Sequence, residues 1–288
     1  METNQVKRAS SLPKNLVKLT HDESSYVEVK GIRIAVVQTD ITRETTDAIV
    51  NAANKKLLHA GGIAGAISRK GGIQIDIESA NIINNQGIVS TGSCVSTSSG
   101  MLPCGIVIHA VGPIWYAIDD KKLARALLKK AIRSVFQEAW DKGVESLSIP
   151  PVSGGIFGYP VKLCAFDIIG QVFKCCLGKP GGPVRYVRLT VLDRETFDAF
   201  QSVFEVFRKK VISVGLGAGA GDGGPQGGKG ALGDKAGESK GVGMREKRLE
   251  SQKKVSPRKK TKEVLEVVEK PQSIPLVKQT PQREQKSL

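Results

Sequence analysis

Short, largely apolar stretches recur along the first 213 residues, and this pattern constrains the fold more than any other feature of the chain. IVIHAV, SLSIP and YVRLTVL each lie between segments whose apolar residues have helical spacing, and AIVN precedes such a segment. Strands that are apolar on both faces are typical of a parallel sheet that helices cover on both sides. The pattern therefore predicts an α/β domain with three layers, α/β/α, around a mostly parallel mixed sheet.

The positions of the elements follow from the same patterns and from glycine and proline signals. Strands are predicted at 26–37 (two, around Lys30 and Gly31), 48–51, 106–111, 146–149 and 186–192, and helices at 63–70, 73–86, 121–142, 160–178 and 195–210. Parallel sheets bind ligands outside the carboxyl ends of their strands. We therefore expect the functional residues in the loops that follow the strands.

The composition changes sharply after Ser213. Residues 214–288 contain 13 of the 32 glycines, no aromatic residue, and 16 basic against 9 acidic side chains. Such a segment cannot bury enough apolar area to offset the entropy of ordering it. We predict a flexible N-terminus at 1–15, a domain at 16–213, and a glycine-rich linker with a basic disordered tail at 214–288. Within the tail, Glu263 to Glu269 could form a transient helix or strand, although a solvated coil is favoured.

The chain carries a net charge of +15, and its basic stretch 245–262 is typical of a nuclear-import address or a nucleic-acid patch. No apolar run reaches the roughly 18 to 20 residues that span a bilayer. The first 15 residues also lack the apolar region of a secretory signal. The five cysteines form no CxxC pair, which argues against a disulfide framework and a zinc site. We expect a protein of the nucleus, the cytoplasm or both, with no membrane contact.

Two loops after predicted strands carry polar and glycine signals. Asp40, after IRIAVV, can accept a hydrogen bond from an exocyclic amine such as that of adenine, or it can cap a turn. Asn54, after AIVN, offers a donor and an acceptor that suit ribose hydroxyls. The pair Gly61-Gly62 then allows close approach of the backbone to a ligand, and the helix that follows presents free N–H groups to a phosphate.

Two further loops complete the set. SGGIFGYP at 153–160 is a glycine-rich entry into a helix, which favours phosphate binding, although it matches neither the P-loop nor the dinucleotide fingerprint. Phe157 within it could pack on a sugar or base, or it could fill the core below the loop. Leu192, after YVRLTVL, could line a base pocket or fill the core.

With these motifs together, the chain resembles the macrodomain family, whose members are ADP-ribose-binding α/β/α modules. The resemblance runs from about Tyr26 to Arg208, and four motifs carry it in order: QTDIT, VNAAN with GGIAGAI, LPCGIVIHAVGP and PVSGGIFGYP. The segments IHAVGPIW and LPC are most similar to the corresponding segments of macrodomains in poly(ADP-ribose) polymerase-type antiviral proteins. No ADP-ribosyltransferase domain is recognisable in the chain.

The resemblance implies a role for each matching residue. Asp40 is expected to bind the adenine amine, with help from the Ile41 backbone. Asn54 is expected to contact the distal ribose. Two loops are expected to hold the distal ribose and the diphosphate: Gly61, Gly62 and Ile63, and then Ser153, Gly154, Gly155, Ile156 and Phe157. Leu192 stands where many relatives have an aromatic residue, which predicts weaker stacking on adenine.

The resemblance also implies a choice between reader and hydrolase. Ala64 occupies a position that is acidic in one catalytic branch, whereas a second branch works with a small residue there. In that second branch Asn54, Gly62 and Phe157 would be the catalytic residues, and no metal or cofactor is implied. We expect ADP-ribose binding and hydrolysis of mono-ADP-ribose from acidic side chains of modified proteins, by a monomer. The alternatives are a non-catalytic reader and a nucleic-acid adaptor that acts through the tail.

The histidines add little to this hypothesis. His109 lies within IVIHAV and is expected in the core. His59, just before the glycine pair, either reaches the distal ribose or serves a structural purpose. With no His, Cys and Asp at ligand spacing, no metal site is expected.

Overall fold

The structure is a computed structural model that describes residues 26–179, 181–219 and 256–269. Residues 1–25, with His21, lie outside the described residues. So does most of the predicted tail, at 220–255 and 270–288, with the greater part of the basic stretch.

The described residues form one eight-stranded sheet with six α-helices. The predicted strands and helices lie close to their predicted positions, whereas two of the eight strands and the last helix were not predicted. The strands are β1 (Tyr26–Val29), β2 (Ile32–Gln38), β3 (Ala48–Ala53), β4 (Cys94–Ser98), β5 (Ile106–Val111), β6 (Ser146–Ile149), β7 (Tyr186–Val191) and β8 (Gly217–Gly219). The helices are α1 (Gly62–Gly71), α2 (Ile73–Gln86), α3 (Lys121–Asp141), α4 (Val161–Gly178), α5 (Arg194–Ser213) and α6 (Pro257–Glu269). A short 3-10 turn at Ile41–Arg43 follows β2.

The sheet has the strand order β4-β5-β3-β6-β7-β2-β1-β8. The five central strands are parallel, from β5 to β2, whereas β4, β1 and β8 pair antiparallel at the margins. The predicted mostly parallel mixed sheet is thus confirmed. Because the carboxyl ends of β2, β3, β5, β6 and β7 meet at one edge, the loops that follow them converge there.

One side of the sheet, which we call the α3–α5 face, carries a single continuous apolar core. Ala48 and Val50 of β3 point into it, and three fully buried phenylalanines of α4 and α5 pack together there: Phe173, Phe204 and Phe207. Helix α4 is buried along 13 of its 18 residues. Such extensive burial arises because α3, α5 and α6 all pack against α4.

The opposite side, the α1–α2 face, carries two smaller apolar clusters. Ile49 of β3 joins Ile67 of α1 and Ile75 of α2 in the first, and Ala53 joins Leu57 and Val89 in the second. Alternate residues of β3 therefore serve opposite faces, as expected for a strand. Asn51 has the same parity as Ile49 and Ala53, so its side chain falls on the α1–α2 face between the two clusters.

Two elements lie beyond Ser213, where a linker and tail were predicted. Leu216 packs into the core, and β8 pairs antiparallel with β1. The coil favoured for Glu263 to Glu269 is wrong, because these residues form the second half of α6. Val264 of α6 is fully buried against the core of the α3–α5 face, and this apolar contact fixes the helix.

All five cysteines are free thiols. Four are buried and Cys94 is half-buried, where its sulfur lies 3.1 Å from Ser134 Oγ. Within residues 26–179, 181–219 and 256–269, no helix has the length and hydropathy needed to cross a membrane.

Candidate functional site

The loops at the carboxyl edge of the sheet enclose a cleft of about 610 Å³. This volume lies in the range of small-molecule sites. The structure brings all twelve residues that the sequence singled out to its lining: Asp40, Ile41, Asn54, Gly61, Gly62, Ile63, Ser153, Gly154, Gly155, Ile156, Phe157 and Leu192. The cleft has an Asp40 end, beside β2 and β7, and an Asn54 end, beside β3 and β5.

Asp40 both caps a turn and lines the cleft. Its Oδ1 accepts hydrogen bonds from Thr42 N at 3.0 Å and Thr42 Oγ1 at 2.6 Å. Its Oδ2 accepts from Lys70 Nζ at 3.1 Å. Burial opposes ionisation of the carboxyl, but the hydrogen bonds and the Lys70 charge outweigh it and lower the pKa of Asp40. Asp40 therefore presents a fixed carboxylate at this end of the cleft.

Lys70 is a residue of the site that sequence reasoning missed. It lies in the last turn of α1, 30 residues after Asp40, and about half of its side chain is exposed. No local pattern in the sequence pairs these two positions. The contact forms because α1 packs beside the 3-10 turn that follows β2.

The rest of the Asp40 end is held by β7 and the loop after it. Thr39 N donates to Val191 O at 2.9 Å, which ties this loop to the loop after β2. Leu192 is 70% exposed and lines the cleft, so of the two roles open to it the core-filling one is wrong. Its exposed side chain gives this end an apolar wall.

The centre of the cleft is bordered by the N-terminus of α1. Gly61 is the residue before the helix, and Gly62 has a φ of +57°, in the left-handed region that favours glycine. No side chain caps this helix end, and its first turn has no acidic residue. The free N–H groups and the helix dipole therefore offer a positive potential to the cleft.

The loop 153–158 adds backbone donors from the other side. Ser153 has a φ of +69°, and its buried hydroxyl has no hydrogen-bond partner among the described residues. Gly154 N donates to Pro151 O just before the loop, and Gly158 N donates to Gly155 O within it. No described acceptor receives the N–H of Gly155, Ile156 or Phe157. A Cβ added at Gly155 would meet nothing within 4 Å, so this backbone is open to the cleft.

Ile156 joins the two glycine loops across the cleft. Its side chain is 72% exposed, yet its Cδ1 lies 3.5 Å from the place a Cβ would occupy on Gly62. Any larger residue at Gly62 would meet both this contact and an unfavourable backbone angle. Ile156 thus forms a partial roof over the centre of the cleft.

Phe157 is half-buried and lines the cleft, whereas the core below the loop is filled by Tyr159. The Tyr159 ring is 1% exposed and stacks at a tilt on Trp115, and its hydroxyl donates to Asp167 Oδ2 at 2.7 Å. Asp167 also binds Arg125 through both carboxylate oxygens and lies 3.3 Å from Lys129. This buried ion cluster anchors the end of the loop to α3 and α4.

Asn54 lines the opposite end, but its side chain is largely engaged in its own loop. Its Oδ1 accepts from Lys56 N at 3.0 Å and Leu58 N at 3.1 Å, and its Nδ2 donates to Leu58 O at 2.6 Å. An amide has two N–H donors, so one Nδ2 hydrogen of Asn54 stays available. The residue therefore shapes the loop and offers one donor to a ligand.

A buried polar cluster lies behind this loop on the α1–α2 face. Asn51 Nδ2 contacts Nδ1 of both His109, at 2.9 Å, and His59, at 3.3 Å. Since Nδ2 only donates, both histidines carry their proton on Nε2, from which they donate to Thr97 Oγ1 and Ser79 Oγ. His109 is a core histidine as expected, and His59 faces this cluster rather than the cleft.

Burial keeps both histidines neutral. Burial lowers the pKa of His59, although the negative charge of Asp76 opposes this effect. Burial and the neighbouring His59 lower the pKa of His109 to about 3. Asn51 Oδ1 is buried without a partner among the described residues. The cluster holds the start of the glycine loop through His59.

Few titratable groups line the cleft. Asp40 and Asp193 lie at the Asp40 end, and the thiol of Cys164 is fully buried, which raises its pKa. The lining at the Asn54 end contains no carboxyl, imidazole or amine. Over the described part of the chain, no three His, Cys, Asp or Glu side chains come together as metal ligands. The cleft is built to bind through backbone N–H groups and dipoles.

A family model described as "Macro domain" matches residues 50–166. The chain is 38% identical to mouse protein mono-ADP-ribosyltransferase PARP9 over 62% of its length, but it spans only 21% of that protein. It is 40% identical to O-acetyl-ADP-ribose deacetylase 1 of Pantoea vagans, over 58% of this chain and 96% of the relative. The solved Oceanobacillus iheyensis macrodomain with ADP is similar in structure, with a TM-score of 0.61 and 29% identity over 65% of this chain and 97% of that one.

Proposed function

The chain belongs to the macrodomain family, and from that premise we propose that its cleft binds ADP-ribose and removes single ADP-ribose units from acidic side chains of modified proteins. The solved relative holds ADP, and the Pantoea relative is named as a deacetylase of an ADP-ribose ester. The chain spans about a fifth of the mouse relative, so the activity of that longer protein does not carry over.

The observation that carries the proposal is the row of unpaired backbone N–H groups in the middle of the cleft. They come from the first turn of α1 and from Gly155, Ile156 and Phe157. Converging amides at a helix N-terminus are typical of phosphate sites. Two such sources on opposite walls suit a diphosphate that lies between them.

The two ends of the cleft set the direction of the ligand. The Asp40 carboxylate suits the exocyclic amine of adenine, with Leu192 as an apolar wall for the base. The diphosphate then crosses below Ile156, and the distal ribose reaches Phe157 and the free N–H of Asn54. The modified side chain would leave the cleft at the Asn54 end.

In the proposed reaction, water adds to C1 of the distal ribose while the bond from C1 to the carboxyl oxygen of the target breaks. The carboxylate leaves, and the water gives one proton to the diphosphate. No titratable side chain of the lining lies at the Asn54 end, so the catalysis would consist of positioning and of charge stabilisation by backbone N–H groups. Asn54, Gly62 and Phe157 are the residues we propose for that positioning.

Calorimetry with the full chain tests the binding step. Asp40→Asn keeps an oxygen that caps the 3-10 turn but removes the charge that favours the adenine amine. We expect a loss of affinity for ADP-ribose of about tenfold or more, in the range of a hydrogen bond to a charged group. An analogue with hypoxanthine in place of adenine lacks the amine and should bind wild type and variant alike. Equal ADP-ribose affinity of the two proteins would refute the proposed base site.

Release of ADP-ribose from a protein modified on glutamate tests the hydrolysis. The full chain is used because β8 and α6 pack onto the domain. Asn54→Asp retains the oxygen that accepts from Lys56 N and Leu58 N, but it replaces Nδ2 by an oxygen and so removes both the free N–H and the bond to Leu58 O. We expect release by the wild type and a strong loss in the variant. Slow hydrogen exchange of the Lys56 and Leu58 amides in the variant would show that the loop keeps its fold.

One observation favours a second function, that of a non-catalytic reader. The Asn54 side chain is mostly engaged in its own loop, and its end of the cleft has no general base. Tight binding of ADP-ribose without release by the wild type would establish the reader. A nucleic-acid adaptor that works through the tail instead predicts affinity that falls steeply with salt, unlike binding in the cleft.

A further inference from the structure

Four lysines stand in or directly after the two loops at the Asn54 end of the cleft. Lys55 and Lys56 follow Asn54 in the loop after β3, and Lys121 and Lys122 begin α3, which follows the loop after β5. All four are exposed. Since β3 and β5 are parallel neighbours, their loops meet at the same edge of the sheet. We call these four residues the basic rim.

The second pair is fixed beside the proposed distal-ribose site by a short chain of contacts. Trp115 N donates to Phe157 O at 2.9 Å. Lys121 Nζ donates to Trp115 O at 2.9 Å and lies 4.9 Å from the centre of the Trp115 ring. Lys121 Nζ also donates to Ile118 O at 2.7 Å, so its charge is held beside the loop that carries Phe157, and Lys122 is exposed in the first turn of the same helix.

No carboxylate of the described residues forms a salt bridge with any lysine of the basic rim. Asp119 and Asp120 precede α3 and are exposed, but Asp120 Oδ1 accepts from Lys122 N and Leu123 N as a helix cap. The opposite end differs, because the Asp40 carboxylate is paired with Lys70. The four lysines outnumber the two carboxylates of Asp119 and Asp120, so the surroundings of the end where a modified protein would leave carry a net positive charge.

We propose that the basic rim binds acidic residues that flank the ADP-ribosylated side chain, so that the preferred targets are modified within acidic segments. This inference rests on the proposed function, which places the distal ribose and its attached chain at the Asn54 end. Lysine side chains on both sides of the exit favour an extended acidic segment through charge complementarity. The effect should be largest at low ionic strength, because exposed charges are screened within about 10 Å at 0.1 M salt.

The test uses two peptides, each of which carries one ADP-ribose through a hydrolysis-resistant linkage. The residues on both sides of the modified position are acidic in one peptide and neutral in the other. Their affinities are measured for the full chain and for Lys56→Glu/Lys122→Glu, which reverses one charge on each side of the exit. We expect the wild type to prefer the acidic peptide by about tenfold at low salt. The variant should lose this preference, which is measured as the ratio of the two peptide affinities so that any general effect of the charge reversal on the anionic ADP-ribose group cancels.

The matched control is Arg133→Glu/Lys209→Glu, which changes the net charge equally at exposed positions. Arg133 lies 11 residues beyond Lys122 on α3, about 16 Å along the helix. We expect this control to keep the preference for the acidic peptide.

Three outcomes would overturn the inference. The two peptides could bind the wild type equally, the control could lose the preference as fully as the rim variant, or an unmodified acidic peptide could bind as well as the modified one. The last result would indicate a general polyanion surface. Failure of free ADP-ribose to bind the wild type would instead refute the proposed function itself.

Discussion

The two faces of the central sheet are stabilised in different ways. The α3–α5 face has one apolar core that runs from β1 to α6. The α1–α2 face has two small apolar clusters with the Asn51, His59 and His109 cluster between them. Both faces are buried and each adjoins one glycine loop of the cleft: Val152 and Tyr159 of the first core flank the loop 153–158, whereas the polar cluster of the second face holds the loop before α1 through His59.

The two kinds of packing have different consequences for the stability of the fold and for the shape of the site. Apolar burial is strong and non-directional, so it stabilises the α3–α5 face without fixing one hydrogen-bond pattern. Buried hydrogen bonds are directional and costly to break, so the polar cluster fixes where His59 and its loop lie. We therefore expect substitutions in the first face to change stability, and conditions that alter the second to change the loop as well.

The largest expected effect comes from Phe204→Ala in the core of the α3–α5 face. Phe204 is fully buried, and its loss should reduce the free energy of unfolding by about 3 to 5 kcal/mol. Denaturant unfolding gives this value, and ADP-ribose affinity of the folded variant should stay unchanged. Phe197→Ala, at a half-buried position of the same helix, should cost much less. Equal losses of unfolding free energy in the two variants would contradict the expectation that burial in this core stabilises the α3–α5 face.

A smaller effect is expected from pH on the α1–α2 face. The pKa of His109 is lowered to about 3, mainly by burial, against about 6.5 in an unfolded chain. Between these values the unfolded state binds a proton that the native state does not, so stability is full above pH 6.5 and falls as pH falls. From pH 7 to pH 5 this histidine alone should remove about 2 kcal/mol from the free energy of unfolding.

The variant His109→Gln isolates that contribution. It keeps a polar side chain at the position and has no ionisation in this range. Its free energy of unfolding should depend less on pH than that of the wild type between pH 7 and pH 5, in parallel urea titrations. Identical slopes would mean that His109 does not stay neutral in the native protein.

The smallest expected effect is that of Lys70→Met at the Asp40 end. The pair with Asp40 is about half exposed, and such pairs contribute less than about 1 kcal/mol to stability. The pKa of Asp40, followed by NMR, should rise because the charge and the hydrogen bond of Lys70, which both lower it, are gone. Arg69→Met removes an exposed neighbouring cation and should leave that pKa where it is.

The central elements were predictable because their signals are local. Continuous apolar runs identified β3, β5, β6 and β7, and helical spacing identified α1 to α5. Strand β4 was missed because CVSTS is a half-exposed margin strand with little apolar content, and β8, with the sequence GAG, has no side-chain pattern at all. Helix α6 packs against α4 and α5, with Val264 buried in the core, and composition does not reveal such tertiary contacts.

In the candidate site, too, features with local sequence signals were predictable and features that depend on tertiary contacts were not. Its backbone donors come from glycine loops that follow strands, and these loops are visible in the sequence. The pairing of Asp40 with Lys70 joins positions 30 residues apart and depends on how α1 packs. The inward direction of Asn51 could have been found from the strand alternation with Ile49, but its two histidine partners could not.

The five free thiols should be unreactive while the protein is folded. Burial raises the pKa of Cys94 to about 11 and that of Cys104 to about 12, and the pKa of Cys164, Cys175 and Cys176 is raised as well. Since the thiolate is the reactive form, alkylating reagents should find almost nothing to modify at neutral pH until the chain opens. Cys104 reports on the α1–α2 face and Cys164 on the α3–α5 face, so the rates at which these two sulfurs are labelled would time the opening of each face separately.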